Sequence, residues 1–116
     1  MSLEVISLYT KDSEELTYTT GAASMDFVMP DHEDGTALLV TNGDASKSAT
    51  VTVKAGNSIY AMGDLAVTVD AGDTAIINLK NSGRFKNVSG ENSGKILVTL
   101  GGTADPTDIG VAVIQL

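Results

Sequence analysis

The chain has 116 residues, no cysteine and a formal charge of −8, from fifteen acidic residues against seven basic ones. A length in the common domain range suggests one domain, 1–116, large enough to bury roughly two-thirds of its unfolded surface without disulfides or a structural metal. The lack of cysteine excludes thiol catalysis, zinc–thiolate sites and iron–sulfur clusters, and the lack of a clustered basic block disfavours nucleic-acid binding, which needs Lys and Arg to displace phosphate counterions.

The start, Met1-Ser2-Leu3-Glu4, carries no positive segment leading into an apolar core. No stretch nears the roughly 18 apolar residues of a membrane span, so neither a signal peptide nor a membrane association is expected. The first runs rich in β-branched residues are 3–9 and 16–20. Between 30 and 35 lies the densest charged stretch, Pro30-Asp31-His32-Glu33-Asp34-Gly35, with the single histidine. Asp31, Glu33 and Asp34 supply hard oxygen ligands of the type calcium takes, although their spacing is not that of an EF-hand. A solvated turn after Pro30 is the plainer reading of the same residues.

The next run is 36–41, followed by Asn42-Gly43. Ala49, Val51 and Val53 then alternate with Thr50, Thr52 and Lys54, a period of two that puts the apolar side chains on one face of a strand. Leu65, Val67 and Val69 repeat this against Ala66, Thr68 and Asp70. The stretch from Val51 to Ser58 is echoed sixteen residues later by Val67 to Thr74, each a strand running into an Ala-Gly turn. Two copies do not make a solenoid or a propeller, so the echo reads as reused turn chemistry. The alternative is a duplicated ligand loop built from Asn57, Ser58, Asp73 and Thr74.

Further along come 74–79, then Ile96, Val98 and Leu100, and finally 109–116, with Asp105 and Asp108 flanking Pro106 in a turn between the last two. Helical periodicity is absent, and glycines punctuate the chain where turns belong. About eight strands with frequent turn signals predict an all-β, antiparallel β-sandwich of jelly-roll-like form, with short connections between neighbouring strands. The expected core is Val51, Val53, Leu65, Val67, Val69, Ile77, Ile96, Val98, Val111 and Val113.

No nucleophile elbow, HExxH motif or phosphate-binding glycine loop occurs, so no catalytic residue and no cofactor is expected. The single arginine, Arg84, precedes Phe85. Such a pair can anchor a protein interface through carboxylate pairing and ring stacking; a core-facing Phe85 beneath an outward Arg84 would look identical in sequence.

The elements Asn42-Gly43, Val51-Thr52-Val53, Ala55-Gly56, Gly63-Asp64-Leu65, Val67-Thr68-Val69, Ala71-Gly72 and Arg84-Phe85, with a valine-rich final strand, resemble small virion structural proteins of tailed bacteriophages, of the head-decoration or minor structural type. The resemblance spans about 42–88, and the first forty residues lie outside it. It implies a β-sandwich that binds other virion proteins of capsid or tail, as a symmetric homo-oligomer or at repeated sites on a shell, made in the bacterial host cytoplasm and ending in the virion. Acidic, Thr- and Gly-rich sandwiches also serve as carbohydrate-binding or adhesion modules of surface proteins, which is the alternative reading. Self-association is expected through edge strands near either terminus.

Overall fold

A computed structural model describes residues 1–8, 11–28, 35–57, 63–79 and 84–116. They form nine strands: β1 Val5–Ser7, β2 Thr19–Thr20, β3 Ser24–Val28, β4 Thr36–Asn42, β5 Ala49–Val53, β6 Leu65–Val69, β7 Thr74–Asn78, β8 Lys95–Gly102 and β9 Ile109–Gln115. A single-turn 3₁₀ helix, Pro106–Asp108, precedes β9. The strand missing from the sequence-based expectation is β3. Its Met25 and Phe27 alternate with Ser24, Asp26 and Val28 and point into the core.

The strands make two sheets that pack face to face. One has the order β9-β4-β7, with β1 and β2 sharing the outer side of β9; the other has the order β3-β8-β5-β6. The antiparallel pairs β2–β9, β3–β8, β4–β7 and β5–β6 are nested inside one another. The chain is therefore one long hairpin, with its tip at β5–β6, rolled up so that β4 meets β9 and β5 meets β8. That winding defines a jelly roll.

Two details correct the expectation of an antiparallel sandwich with short connections between neighbours. First, β1 runs parallel to β9, and Ser2 makes an isolated parallel bridge to Asp26. Second, among the nine strands only β5 and β6 are both consecutive and paired; from β2 onward, every other connection crosses between the sheets. Terminal position makes an edge at one terminus only: β1 is the outermost strand of its sheet. The last strand, β9, lies inside its sheet between β4 and the β1/β2 side.

Alternation accounts for the core. Val51, Val53, Val69, Ile77, Ile96, Val98, Val111 and Val113 are buried as the period of two predicts, joined by Phe27, Leu38, Val40, Leu79 and Phe85. Leu65 and Val67 point the right way but are only half-buried, because β6 is the last strand of its sheet.

The register sorts the connections into two groups. Segments 21–23, 43–48, 70–73 and 103–108 lie at one end of the sandwich, the short-loop end. Residues 8, 11–18, 35, 54–57, 63–64, 79 and 84–94 lie at the other, the long-loop end. Charge is segregated as well. Asp26 of β3 and Lys95 of β8 are the only charged residues within the nine strands, so the rest of the net charge sits in the connections.

Candidate functional site

At the long-loop end, the Arg84-Phe85 pair closes a corner between 54–57 and 84–89. Phe85 is 3% exposed and belongs to the core, so its ring serves this chain's own packing. The Arg84 guanidinium lies 4.9 Å above that ring and reaches the carbonyls of Gly63 and Asp64, with Nε and Nη2 donating at 3.4 and 3.5 Å. The structure thus selects the core-facing alternative for Phe85, with Arg84 half-buried above it.

The surrounding polar groups are engaged in the same corner. Asp64 accepts from the Ala55 amide at 2.6 Å and pairs with Lys54 Nζ at 3.1 Å. These contacts hold its carboxyl below the ordinary aspartate value, the Ala55 amide contributing most and Lys54 next. Gly56 donates its amide to the Arg84 carbonyl at 3.0 Å, and a Cβ there would sit 2.2 Å from the Lys86 carbonyl oxygen, so only glycine allows this approach. Asn57 accepts from the Val88 amide at 2.7 Å and donates to the Ser89 carbonyl at 3.0 Å.

The echoed turns do not meet. Because β5 and β6 are antiparallel, the turn after Val53 lies at the long-loop end and the turn after Val69 at the short-loop end, about 14 Å apart along a five-residue strand. Asn57 serves its own corner as described, and Asp73 closes a β-turn onto the Asp70 carbonyl with Gly72 at φ 74°. Thr74 donates its hydroxyl to that of Thr41 at 2.9 Å. Reused turn chemistry is what the geometry supports. Ser58 lies outside the described residues, as do Asp31, His32, Glu33 and Asp34, the candidate calcium stretch. Among the described residues no group of three or more His, Asp or Glu side chains is arranged to hold a metal ion.

The short-loop end is closed by side chains bonded to backbone. Asn42, 1% exposed, donates to the carbonyls of Lys47 and Val69 and accepts from the Asp44 amide. Asp44 accepts from the amides of Ser46 and Lys47, and Asp105 caps the 3₁₀ turn by accepting from the Thr107 amide and hydroxyl. Both carboxyls are held below the ordinary value, chiefly by those backbone amides. Asp105 and Asp108 are thus parts of a surface turn; the Asp108 carbonyl accepts from the Gly43 amide.

A cleft of about 420 Å³ opens beside β1 and β9. Glu4, Lys11, Glu14 and Glu15 rim it, with Ile6 and Ala112 among its apolar walls. The Lys11–Glu14 pair at 2.6 Å is solvent-exposed and lowers the Glu14 carboxyl. These groups are the ordinary furniture of an exposed surface, and no nucleophile–base pair is among them. Two buried oxygens without hydrogen-bond partners, Asp26 Oδ1 and Thr36 Oγ1, belong to different sheets and share no site. Of the described aromatic residues, Phe27 and Phe85 are buried, and Tyr18 lies against Gly110.

The feature that sequence reasoning missed is the side of the sandwich formed by β6 and β7. The turn at 70–73 joins these strands, so the two sheet edges lie side by side, and among the described residues neither has a strand on its outer flank. On the opposite side Met1 to Leu3 run along β3 through Leu3 N–H to Asp26 C=O and Asp26 N–H to Met1 C=O, while the short strands β1 and β2 flank β9 and form that edge. On the uncovered side Leu65, Val67 and Ala75 are only partly buried, and Ile76 is 71% exposed. The signal was present in Ala75-Ile76-Ile77, an apolar run that gives β7 greasy side chains on both faces.

No protein-family model, curated protein or solved structure matches this chain. No helix among the described residues is long and apolar enough to cross a membrane, a finding that does not bear on membrane β-barrels.

Proposed function

We propose that this protein is a non-catalytic virion accessory protein of a tailed bacteriophage, which docks on a capsid or tail lattice through surface complementarity. The observation that carries the surface-acting part of this reading is the uncovered β6–β7 side. It places two strand edges free of charged residues next to each other, with half-buried core side chains showing between them. Unprotected edges are ordinarily blunted by lysine, proline or a covering segment, because their free backbone groups accept another chain. Here the charges that keep the protein soluble are held in the connections, and the edges are left clear for contact.

The phage assignment rests on the resemblance across 42–88. Those residues contribute β5, β6, β7 and the corner that Arg84 closes. They form the tip of the rolled hairpin, and their span takes in the β6–β7 side. Other virion proteins are the partners in this reading, with the protein made in the host cytoplasm and ending in the particle.

The test is the composition of purified particles. Mass spectrometry of gradient-banded virions should find this chain at a fixed ratio to the major capsid or tail protein. Its absence from banded particles whose genome encodes it would overturn the virion assignment.

A further inference from the structure

We propose that Asn42 is a deamidation site whose reactivity the fold controls. The folded chain keeps it inert, the open chain converts it ahead of every other asparagine, and the converted residue cannot rebuild its old contacts. The inference is independent of the virion reading above.

Asn42-Gly43 is the single Asn-Gly step in the sequence. An asparagine loses its amide when the backbone nitrogen of the next residue attacks the side-chain carbonyl carbon. A nitrogen–carbon bond forms, the bond from that carbon to Nδ2 breaks, and the peptide proton leaves with Nδ2 as ammonia. The five-membered imide that remains is opened by water at either carbonyl, leaving aspartate or isoaspartate. Glycine is the most permissive successor, because no Cβ hinders its nitrogen and its backbone reaches the needed geometry without steric cost.

The folded chain blocks each part of that step. The attacked group is fixed: Asn42 is 1% exposed, its Nδ2 donates to the Lys47 and Val69 carbonyls at 2.9 and 3.2 Å, and its Oδ1 accepts from the Asp44 amide at 3.0 Å. The attacking nitrogen is engaged, since Gly43 N–H donates to the Asp108 carbonyl at 2.9 Å. The backbone between them is held as well. Asn42 N–H donates to the Asp73 carbonyl at 2.8 Å, and Asn42 pairs with Ile109 at the end of β4. Bringing the Gly43 nitrogen onto the side-chain carbon breaks contacts with the 44–47 loop, the end of β6 and the turn before β9. Reaction therefore waits on opening of the short-loop end.

The product cannot resume the same contacts. A carboxylate has no proton to give, so at position 42 it would set oxygen against the Lys47 and Val69 carbonyl oxygens to which the amide donated. The burial that shields the amide would hold a charge out of water, with the Asp44 amide the only one of these three partners that still bonds to it. Isoaspartate adds a methylene to the main chain at the last residue of β4, within the ladder to β9. An opening long enough for the chemistry is thereby recorded in the chain, and a converted molecule opens more readily than before.

Peptide mapping by mass spectrometry tests this on the full chain, incubated at mildly alkaline pH in plain buffer and in guanidinium chloride. In guanidinium, Asn42 should convert ahead of every other asparagine. In buffer its rate should be at least about a hundredfold lower, following the small open fraction of a folded protein. Gly43→Ala, also unfolded in guanidinium, should slow conversion several-fold with the asparagine unchanged, which assigns the attack to the nitrogen of residue 43. Asn42→Asp, which makes the aspartate product directly, should melt at least about 5 °C below the wild-type chain or fail to fold. Conversion in buffer as fast as in guanidinium, another asparagine reacting first in the open chain, a Gly43→Ala chain that reacts at the wild-type rate, or an Asn42→Asp chain as stable as wild type would each overturn the proposal.

Discussion

The two ends of the sandwich are closed by different physics. At the short-loop end, Asn42, Asp44 and Asp105 spend their side chains on backbone amides and carbonyls within a few residues or, for Asn42, also across to the facing sheet. At the long-loop end, the corner is fastened by a buried ring, Phe85, with a backbone approach at Gly56 that leaves no room for a methyl group. Polar turns suffice where the chain crosses between sheets in a few residues, because short loops leave little backbone to satisfy. A long connection such as 79–94 needs an apolar anchor, since local polar bonds alone do not offset the entropy of ordering it.

The sharpest break in that comparison is removal of the anchor. Phe85→Ala should cost about 3–5 kcal/mol in chemical denaturation and should raise amide exchange at Gly56 and Val88 more than at Ser46 or Thr107. Gly56→Ala should cost about 1–3 kcal/mol, because its methyl group meets backbone that must move. The mirror experiment is Asn42→Ala, with an expected cost of about 1–3 kcal/mol from the groups it leaves unpaired; here exchange should rise at Asp44 and spare Val88.

Acid should sharpen the contrast with a smaller effect. The carboxyls of Asp44, Asp64 and Asp105 are held below the ordinary aspartate value of 3.8. A folded-state value lower than the unfolded one adds stability that is fully present above 3.8 and disappears as pH falls through the folded value. The melting temperature should therefore be level with respect to these groups above about pH 5 and decline below about pH 4. Two of the three carboxyls lie at the short-loop end, so acid should raise exchange at Ser46, Lys47 and Thr107 there and at Ala55 alone at the long-loop end. An exchange profile that opens both ends together in every case would show that they do not differ.

Much of the fold was legible because alternation is a local signal. Ala49 to Val53 and Ile96 to Leu100 announce their buried faces without any knowledge of partners, and the structure buries them. Ser24 to Val28 alternates equally well, but Met25, Asp26 and a single phenylalanine lack the β-branched enrichment that marks a strand in isolation. Strand order was not legible, since it is set by how the long hairpin rolls and not by any five-residue pattern. The half-burial of Leu65 and Val67 follows from that order, as does the exposure of Ile76. Phe85 was ambiguous because 84–89 has no period that would declare a face; only the contacts of Gly56 and Asn57 with that segment fix which way the ring points.

The interior position of β9 bears on how the chain acquires its structure. The strands that flank it, β1, β2 and β4, are made long before it; β1 and β2 have no ladder to join until residues 109–115 arrive, and β4 until then has only β7. During synthesis the only strand pair available between consecutive elements is β5–β6, and most of the remaining pairings span large sequence separations. Folding should accordingly be slow, in the millisecond-to-second range of β-rich domains, and should not complete before residues 109–115 have emerged. A ribosome-stalled chain that ends before Ile109 should remain protease-sensitive throughout its length.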